Sequence, residues 1–291
     1  GTSTLATGGA DARAYTWNAS SMASTASTAQ EANTIHGVSI SPDGKLVATG
    51  SGNSQMYHRS ESHVYCAVSE DGGATWPVQT RVDSVGAFEL GSPSVDVGAN
   101  GDVGVAWYDS RAGGVPNIFY SNSTDAGATF ADDVMISSGG GRKYNPSLAM
   151  DSSGIGHMVW HDERDKPWPY ERFDIYYGRS DLPGANVRVA PSGSAEQQQS
   201  ADVGVSDDGN TIAVCWVQTG PDIKVASSTD SGLSFATPDI VSDVADGVRY
   251  VPSMCLDRGQ VHVVWEDYRR GDPNIYYSTT VLSDAWPPAI L

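Results

Sequence analysis

Long apolar stretches are missing from this 291-residue chain: no run of about 18 apolar residues, the length that crosses a bilayer as a helix, is present. Basic residues are also scarce, with 17 Lys and Arg against 35 Asp and Glu and a net charge of −18. Nucleic acids and anionic membrane surfaces repel such a protein at long range. The composition therefore predicts neither membrane insertion nor a nucleic-acid partner.

Cysteine is the next scarcity, since only Cys66, Cys215 and Cys255 are present. Each lies in an apolar, strand-like run, and their spacing matches neither a zinc site nor a disulfide framework. Because a free cysteine packs like a small apolar side chain, we expect buried free thiols. A Cys215–Cys255 bridge is the alternative.

Helical periodicity has no comparable support anywhere in the chain, whereas short alternating segments rich in β-branched and aromatic residues recur. The 32 glycines and 15 prolines indicate many turns between them. The length allows a substantial core in one large or two small domains. These features predict an all-β protein.

The chain repeats itself, most visibly in one eight-residue segment that occurs at 69–76, 123–130 and 228–235. Aligning these copies aligns longer segments, which are 91–130, 145–181, 200–235, 251–280 and a more divergent copy at 36–50 and, after an insertion, 63–76. Trp107, Trp160, Trp216 and Trp265 mark four of the copies at a spacing of about 50 residues. Short strands with this period indicate propeller blades.

Each copy is interpreted as a four-stranded antiparallel meander, with strands such as PSVDVG, VGVAWYD, NIFYSNS and VMISS in the second copy. The sequence thus predicts one β-propeller domain over 36–291, with five blades favoured and six as the alternative. Residues 1–35 form an N-terminal segment, expected either to add a strand that closes the ring or to lie along the outside.

The copied turn has the pattern Ser-x-Asp-x-Gly-x-Thr/Ser-Trp/Phe. Its aspartates (Asp71, Asp125, Asp230) are expected to accept backbone N–H bonds, and its glycines (Gly73, Gly127, Gly232) to adopt positive φ. Its aromatic residues (Trp76, Phe130, Phe235) are suited to anchor the hairpin. This pattern resembles the Asp-box, and over 36–280 the chain resembles the sialidase-like superfamily of Asp-box, or BNR-repeat, β-propellers.

In an antiparallel meander, the turns between strands 3 and 4 and between strands 1 and 2 share one end of every blade. The Asp-boxes therefore mark the bottom, and the loops between strands 2 and 3 lie on top with the blade crossings. A second pattern, Trp-x-Asp-x-Arg, ends strand 2 at 107–111, 160–164 and 265–269. Its recurrence favours a structural pair that holds the loop, with direct ligand contact as the alternative.

Residues that depart from the repeat on the top face are the candidates for function. Four segments depart from it, at 52–63, 139–145, 164–174 and 192–200. The residues that lead into strand 1 face the central funnel, and they are His36, Glu89, Tyr144, Gln199 and Tyr250, with Arg142 and Arg249 before the tyrosines. Packing at the crossings is the alternative interpretation for these tyrosines and arginines.

The resemblance implies a retaining hydrolase in which a tyrosine, made reactive by a glutamate, is the nucleophile, an aspartate moves protons and three arginines hold the substrate carboxylate. For these roles the chain offers Tyr144 or Tyr250 as nucleophile, Glu89 as its partner, and Asp162, Glu163 or His58 for proton transfer. The clamp candidates are Arg142, Arg249, Arg59 and Arg164. His36 and Gln199 are further ligand contacts, and Trp168 and Tyr170 are expected to form a sugar-stacking platform. The Arg-Ile-Pro segment of sialidases is absent.

Two other functional classes stay open. Some propellers hold a calcium ion in the funnel and hydrolyse esters, lactones or phosphotriesters. Oxygen ligands for such an ion are available in Glu89, Asn145, Asp202 and Asp257. The alternative for Asp202 and Asp257 is that they are turn or strand-end residues. The other class is a glycan-binding propeller without catalysis.

The favoured class requires no cofactor, and calcium belongs to the alternative. We expect a monomer that binds a small molecule or glycan. The acidic charge, the Asp-box resemblance and the Ser-, Thr- and Gly-rich composition predict a secreted or otherwise extracytoplasmic protein.

Overall fold

The computed structural model describes residues 4–9, 13–18, 23–27, 34–40, 47–52, 63–71, 74–86, 90–165, 172–190, 197–220, 222–243 and 248–282. Throughout these ranges the regular structure is β-strand. Within them there is accordingly no helix long and apolar enough to cross a membrane. The all-β prediction is confirmed.

The strands form six antiparallel meanders, numbered here in chain order. Sheet 1 contains β1 (Thr4–Gly9), β2 (Arg13–Asn18) and β3 (Ala23–Ser27), and sheet 2 contains β4 (Thr34–Ile40), β5 (Val47–Gly52), β6 (Val64–Ser69) and β7 (Val78–Arg81). Sheet 3 contains β8 (Leu90–Val97), β9 (Val103–Asp109), β10 (Asn117–Ser123) and β11 (Val134–Met135). Sheet 4 contains β12 (Lys143–Met150), β13 (Gly156–Asp162), β14 (Asp174–Arg179) and β15 (Val187–Arg188). Sheet 5 contains β16 (Gln198–Val205), β17 (Ile212–Gln218), β18 (Asp222–Ser228) and β19 (Asp239–Ile240). Sheet 6 contains β20 (Arg249–Asp257), β21 (Gln260–Arg270) and β22 (Asp272–Val281).

The sheets are arranged as a propeller, because the first strand of each sheet contacts the first strand of the next, from β1 through β20. Four of these strands, β8, β12, β16 and β20, line a central cavity of about 360 Å³. The five repeats found in the sequence correspond to sheets 2 to 6. Residues 4–27 form sheet 1, a further sheet of three strands, and the number of blades, five or six, stays a prediction.

Apolar faces pack between neighbouring sheets. The four repeat tryptophans, Trp107, Trp160, Trp216 and Trp265, are all at most 1% exposed. Cys66 and Cys215 are buried free thiols, as predicted. Cys255 is free but exposed, so its predicted burial is wrong, and no Cys215–Cys255 bridge forms. It lies on the same face of β20 as Ser253 and Asp257, which are exposed as well.

The three copied turns have the predicted hydrogen bonds, and Gly127 and Gly232 have the predicted positive φ, whereas Gly73 lies outside the described residues. The Asp125 carboxylate accepts hydrogen bonds from the Thr129 backbone N–H at 2.8 Å and from the Thr129 hydroxyl at 2.6 Å. The Ser123 hydroxyl also donates to it at 2.7 Å. The hydrogen bonds from the Thr75, Thr129 and Ser234 side chains are the main cause that lowers the pKa values of Asp71, Asp125 and Asp230 to about 2. The charged carboxylate is thus part of the turn.

The same turns also join neighbouring sheets, a role that the sequence did not reveal. The Thr80 hydroxyl of sheet 2 donates to the Gly127 carbonyl of sheet 3 at 2.7 Å. Gly232 of sheet 5 lies directly against the Tyr177 ring of sheet 4, and a Cβ there would collide with the ring. Phe235 packs edge-on against this ring, with 5.3 Å between centroids. Glycine is therefore required by packing as well as by backbone conformation.

We expect Gly232→Ala to lower the free energy of unfolding by about 2–4 kcal/mol, because the added methyl group must displace the Tyr177 ring. Gly184→Ala is the matched control, since Gly184 has nearly the same φ (83° against 81°) but open space around it. The control should cost only about 1 kcal/mol, the cost of backbone strain. Denaturant unfolding of both variants measures the difference, and equal losses would show that the sheet contact contributes nothing.

Candidate functional site

The Trp-x-Asp-x-Arg motif forms a buried unit at the top end of strand 2 in sheets 3, 4 and 6. In sheet 4, the Asp162 carboxylate accepts hydrogen bonds from Trp160 Nε1 at 2.9 Å, from Arg164 Nη2 at 2.6 Å and from the Arg164 backbone N–H at 2.9 Å. The Arg164 guanidinium lies 3.9 Å from the Tyr176 ring centroid. Asp162 is 1% exposed. These contacts hold the start of the loop.

Sheets 3 and 6 repeat this Trp-Asp-Arg unit with Asp109 and Asp267. Burial by itself raises the pKa of Asp267, yet hydrogen bonds from Arg269, Trp265 and Arg249 bring it down to about 2. The Asp162 and Arg164 side chains have the same structural partners. We therefore leave both residues, predicted for proton transfer and for the clamp, out of the candidate site.

A β-bulge interrupts the top end of the first strand in sheets 3 to 6. At each bulge a non-glycine residue has positive φ: Ser92 (46°), Asn145 (51°), Ser200 (53°) and Val251 (43°). Such residues are strained, and strain of this kind collects at functional sites. Three of the four residues stand directly before a Pro-Ser pair, at 92–94, 145–147 and 251–253. The recurring Pro-Ser pair was therefore a sequence signal for the bulges, one that was missed.

Aromatic side chains from sheets 3 and 4 meet beside these bulges. Tyr144 contacts Tyr108 edge-on with 5.1 Å between ring centroids, and Phe173 at 6.2 Å. His161 lies 5.5 Å from Phe173. Gly91 leaves room for Tyr108, because a Cβ there would lie 2.7 Å from its hydroxyl oxygen. The predicted residue Tyr144 is thus the partly exposed centre of an aromatic cluster.

Sheet 6 brings together Tyr250, Glu266 and Tyr268. Tyr250 pairs directly with Glu266 in the register of β20 and β21. The Tyr268 hydroxyl donates to Glu266 Oε1 at 3.0 Å, which is the main cause that raises the pKa of Tyr268. The Tyr250 and Tyr268 rings are 5.8 Å apart and perpendicular, and Tyr250 is 44% exposed. A tyrosine with a carboxylate as proton acceptor is the chemistry that a phenol nucleophile requires.

Glu266 and Tyr268 were missed in the sequence because they stand at the variable positions of the Trp-x-Asp-x-Arg motif. The equivalent positions hold Tyr108 and Ser110 in sheet 3 and His161 and Glu163 in sheet 4. The change of residue type at these two positions, inside a motif that is otherwise constant, was the sequence signal that could have identified Glu266 and Tyr268.

The arginines predicted for the clamp differ in how far their side chains are exposed. Arg249 is 1% exposed, and its Nε donates to Asp267 Oδ2 at 3.0 Å. The Arg142 side chain is 50% exposed at the rim, with its Nε 3.8 Å from Glu163 Oε2. Among the clamp candidates in the described residues, Arg142 is thus the one with a largely exposed side chain.

Several predicted residues lie outside the described ranges, namely His58, Arg59, Glu89, Trp168 and Tyr170. His36 lies on β4, at the register shift between Ile35 and Gly37. Gln199 lies on β16 beside the bulge, and its Oε1 accepts a hydrogen bond from Gln197 Nε2 at 3.3 Å.

The predicted calcium ligands are spread along the channel. Asp257 lies at the bottom turn between β20 and β21, and Asn145 lies at the top, where its Oδ1 accepts a hydrogen bond from Ser92 at 2.9 Å. Asp202 lines the central cavity, and its two oxygens accept hydrogen bonds from Ser147 at 2.6 Å and the Met254 N–H at 2.8 Å. Within the described ranges, no three His, Cys, Asp or Glu side chains cluster to hold a metal ion.

No protein family and no curated protein sequence matches the chain. Solved structures do. A Hadza microbial sialidase superposes with a TM-score of 0.58 at 13% identity over 88% of this chain, which spans 57% of that sialidase. The Penicillium chrysogenum α-L-arabinanase complexed with arabinobiose gives 0.58 at 14% identity, over 86% of this chain and 78% of that one. A polysaccharide lyase acting on ulvan gives 0.59 at 12% identity, over 97% and 81%. At this identity the superpositions show the fold alone, which is a β-propeller.

The buried His161 makes the stability of the folded protein depend on pH. Its Nε2 accepts a hydrogen bond from the Ser200 backbone N–H at 2.7 Å, and burial lowers its pKa to about 4. The unfolded chain therefore binds a proton at higher pH than the folded protein, so stability falls as pH drops below about 6.5. The loss should reach on the order of 3 kcal/mol by about pH 4.

We expect the neutral variant His161→Gln, which keeps a hydrogen-bond acceptor, to lose less stability than the wild type over this range. Unfolding free energies of both proteins between about pH 7 and about pH 4 give the comparison. Their difference cancels contributions from other groups such as His157. Parallel curves would mean that His161 binds its proton as readily in the folded protein as in the unfolded chain.

Proposed function

We propose that this protein hydrolyses a glycan at the top face of its propeller, with Tyr268 as nucleophile and Glu266 as proton acceptor. The observation that carries the proposal is the 3.0 Å hydrogen bond from the Tyr268 hydroxyl to Glu266, beside the exposed ring of Tyr250. The names of the superposed structures support a sugar ligand, since a sialidase, an arabinanase and a polysaccharide lyase share this fold. Calcium-dependent hydrolysis has no comparable supporting cluster in the described residues.

The proposed reaction has two halves. In the first, the Tyr268 oxygen bonds to the anomeric carbon while its proton passes to Glu266. The leaving oxygen departs with the electron pair of the broken bond and takes a proton from water. In the second, water attacks the same carbon and the bond from that carbon to the Tyr268 oxygen breaks, with its electron pair staying on the oxygen. The attacking water loses a proton to the hydroxide left by the first half, and the Tyr268 oxygen recovers its proton from Glu266. The net change is hydrolysis of one glycosidic bond.

The aromatic cluster and the rim supply binding. The ring of Tyr144, partly exposed between Tyr108 and Phe173, is suited to stack against a sugar face. Arg142 adds positive charge at the rim of a protein whose net charge is −18. Polar or anionic sugars are therefore the substrates we favour.

We expect Tyr268→Phe and Glu266→Gln each to lower turnover by roughly 10²- to 10⁴-fold, because each removes one partner of the proton transfer. A panel of 4-methylumbelliferyl glycosides, including a sialoside, an arabinofuranoside and a glucuronide, measures the loss. Tyr277→Phe is the matched control, since the hydroxyl of this tyrosine of sheet 6 is hydrogen-bonded to His262 Nδ1 at 2.7 Å instead.

Unchanged turnover in Tyr268→Phe with loss in Tyr250→Phe or Tyr144→Phe would transfer the nucleophile to one of those tyrosines. Ester or phosphotriester turnover that a calcium chelator abolishes would replace the glycosidase with the calcium-dependent class. Absence of turnover, together with glycan-array binding that Tyr144→Ala weakens, would leave a glycan-binding propeller without catalysis.

A further inference from the structure

Sheet 5 keeps the repeat tryptophan but lacks the rest of the Trp-Asp-Arg unit. After Trp216, Gln218 stands at the place of the aspartate and Gly220 at the place of the arginine. Opposite Trp216 on the third strand, Lys224 replaces the aromatic ring on which the arginine packs in the other sheets. In sheet 6 the corresponding residue opposite Trp265 is Tyr276.

Two buried donors have lost their acceptor as a result. Trp216 Nε1 and Gln198 Nε2 are sealed from solvent and have no hydrogen-bond partner among the described residues. Trp216 and Gln198 are both 0% exposed. A buried polar group without a partner is costly, so each such group needs an explanation.

Sheet 6 shows what these donors lack. The residues at the same two positions are Trp265 and Arg249, as the strand registers show. Trp265 Nε1 and Arg249 Nε both donate to one oxygen, Asp267 Oδ2, at 3.3 and 3.0 Å. In sheet 5 the two N–H groups therefore converge on the place of a carboxylate oxygen that none of the described residues supplies.

The orientation of the Gln198 amide is fixed by sheet 4. Its Oε1 accepts a hydrogen bond from the Ile175 backbone N–H at 3.0 Å. Turning the amide over would place two N–H groups against each other, so Nε2 must point away from Ile175 and toward the vacant carboxylate place. The donor is thus held in position from the neighbouring sheet.

Charge and space agree with an anionic occupant. Lys224 brings a positive charge to the side of the sheet that holds Trp216, and Gln218 is neutral. Gly220, at the place of the arginine, has open space where a side chain would begin. We propose that this niche, formed by Gln198, Trp216 and Lys224, binds a carboxylate from outside the chain. The Gln218 side chain gives way toward Gly220 as the ligand enters.

The ligand is a carboxylate, either a free one or that of a sugar acid. This site lies on sheet 5, apart from Tyr268 and Glu266 of sheet 6, and does not depend on the proposed hydrolysis. A ligand this small, held by two hydrogen bonds and one charge, should bind with a dissociation constant of roughly millimolar size.

Titration with sodium acetate, followed through the indole N–H signals in ¹H–¹⁵N spectra, tests the proposal. The Trp216 signal is identified by its absence in Trp216→Phe, or in Trp216→Tyr should the first variant not fold. We expect this signal to shift saturably with acetate and not with sodium chloride at equal ionic strength. Sodium glucuronate, with glucose as its neutral counterpart, distinguishes the sources: a response to both anions indicates any carboxylate, and one to glucuronate alone indicates a sugar acid.

Gln218→Asp supplies an internal carboxylate, so its Trp216 signal should be displaced without ligand and should not respond to acetate. Gln218→Asn is the matched control, with the length of aspartate but no charge, and should keep the response. A Trp216 signal that neither anion moves in the wild type would overturn the proposal and assign the two donors to buried water. So would a Gln218→Asp variant that still responds like the wild type.

Discussion

The top face of this propeller depends on a buried carboxylate at the end of the second strand of a sheet. A carboxylate removed from water is stable only when it is paired and fully hydrogen-bonded. Asp162 meets this condition with three N–H donors from Trp160 and Arg164. These contacts hold both the tryptophan side chain and the first residues of the loop between strands 2 and 3. The rest of that loop can therefore vary in sequence while its starting point stays fixed.

The fold was predictable because its signals are local and repeated. A turn such as 123–130 carries its own hydrogen bonds, so its sequence shows its structure wherever it recurs. Sheet 1 was not predictable in this way, because residues 4–27 contain no copy of the turn and no motif tryptophan followed by aspartate and arginine. The contact of Gly232 with Tyr177 was equally hidden, since it joins sheets whose spacing only the assembled propeller sets.

The candidate site was predictable in position but not in composition. Tyr144 and Tyr250 are at least partly exposed at the top, where their place before the first strand suggested they would be. Arg249 occupies the adjacent position, yet its side chain points to the buried Asp267. Neighbouring residues of a strand point to opposite faces, so Tyr250 is exposed while Arg249 is buried. Which of the two faces outward depends on the bulge in the strand, and the bulge forms only in the assembled propeller. Glu266 and Tyr268 were hidden for the opposite reason, because a constant motif surrounds them.

Sheets 4 and 6 carry the aromatic cluster and the tyrosine–glutamate group. Sheet 5 lies between them, and its described residues include no buried carboxylate. Gln198 joins this sheet to Ile175 of sheet 4, and Arg249 of sheet 6 approaches Asp222 of sheet 5 to 4.0 Å. An anion that completed the unit in sheet 5 would therefore act on contacts to both neighbours. Paired carboxylates hold the rims of sheets 3, 4 and 6, whereas sheet 5 has the neutral Gln218 at the same place. Under the proposal for sheet 5, binding of a carboxylate there would therefore be coupled to the contacts that join sheets 4, 5 and 6.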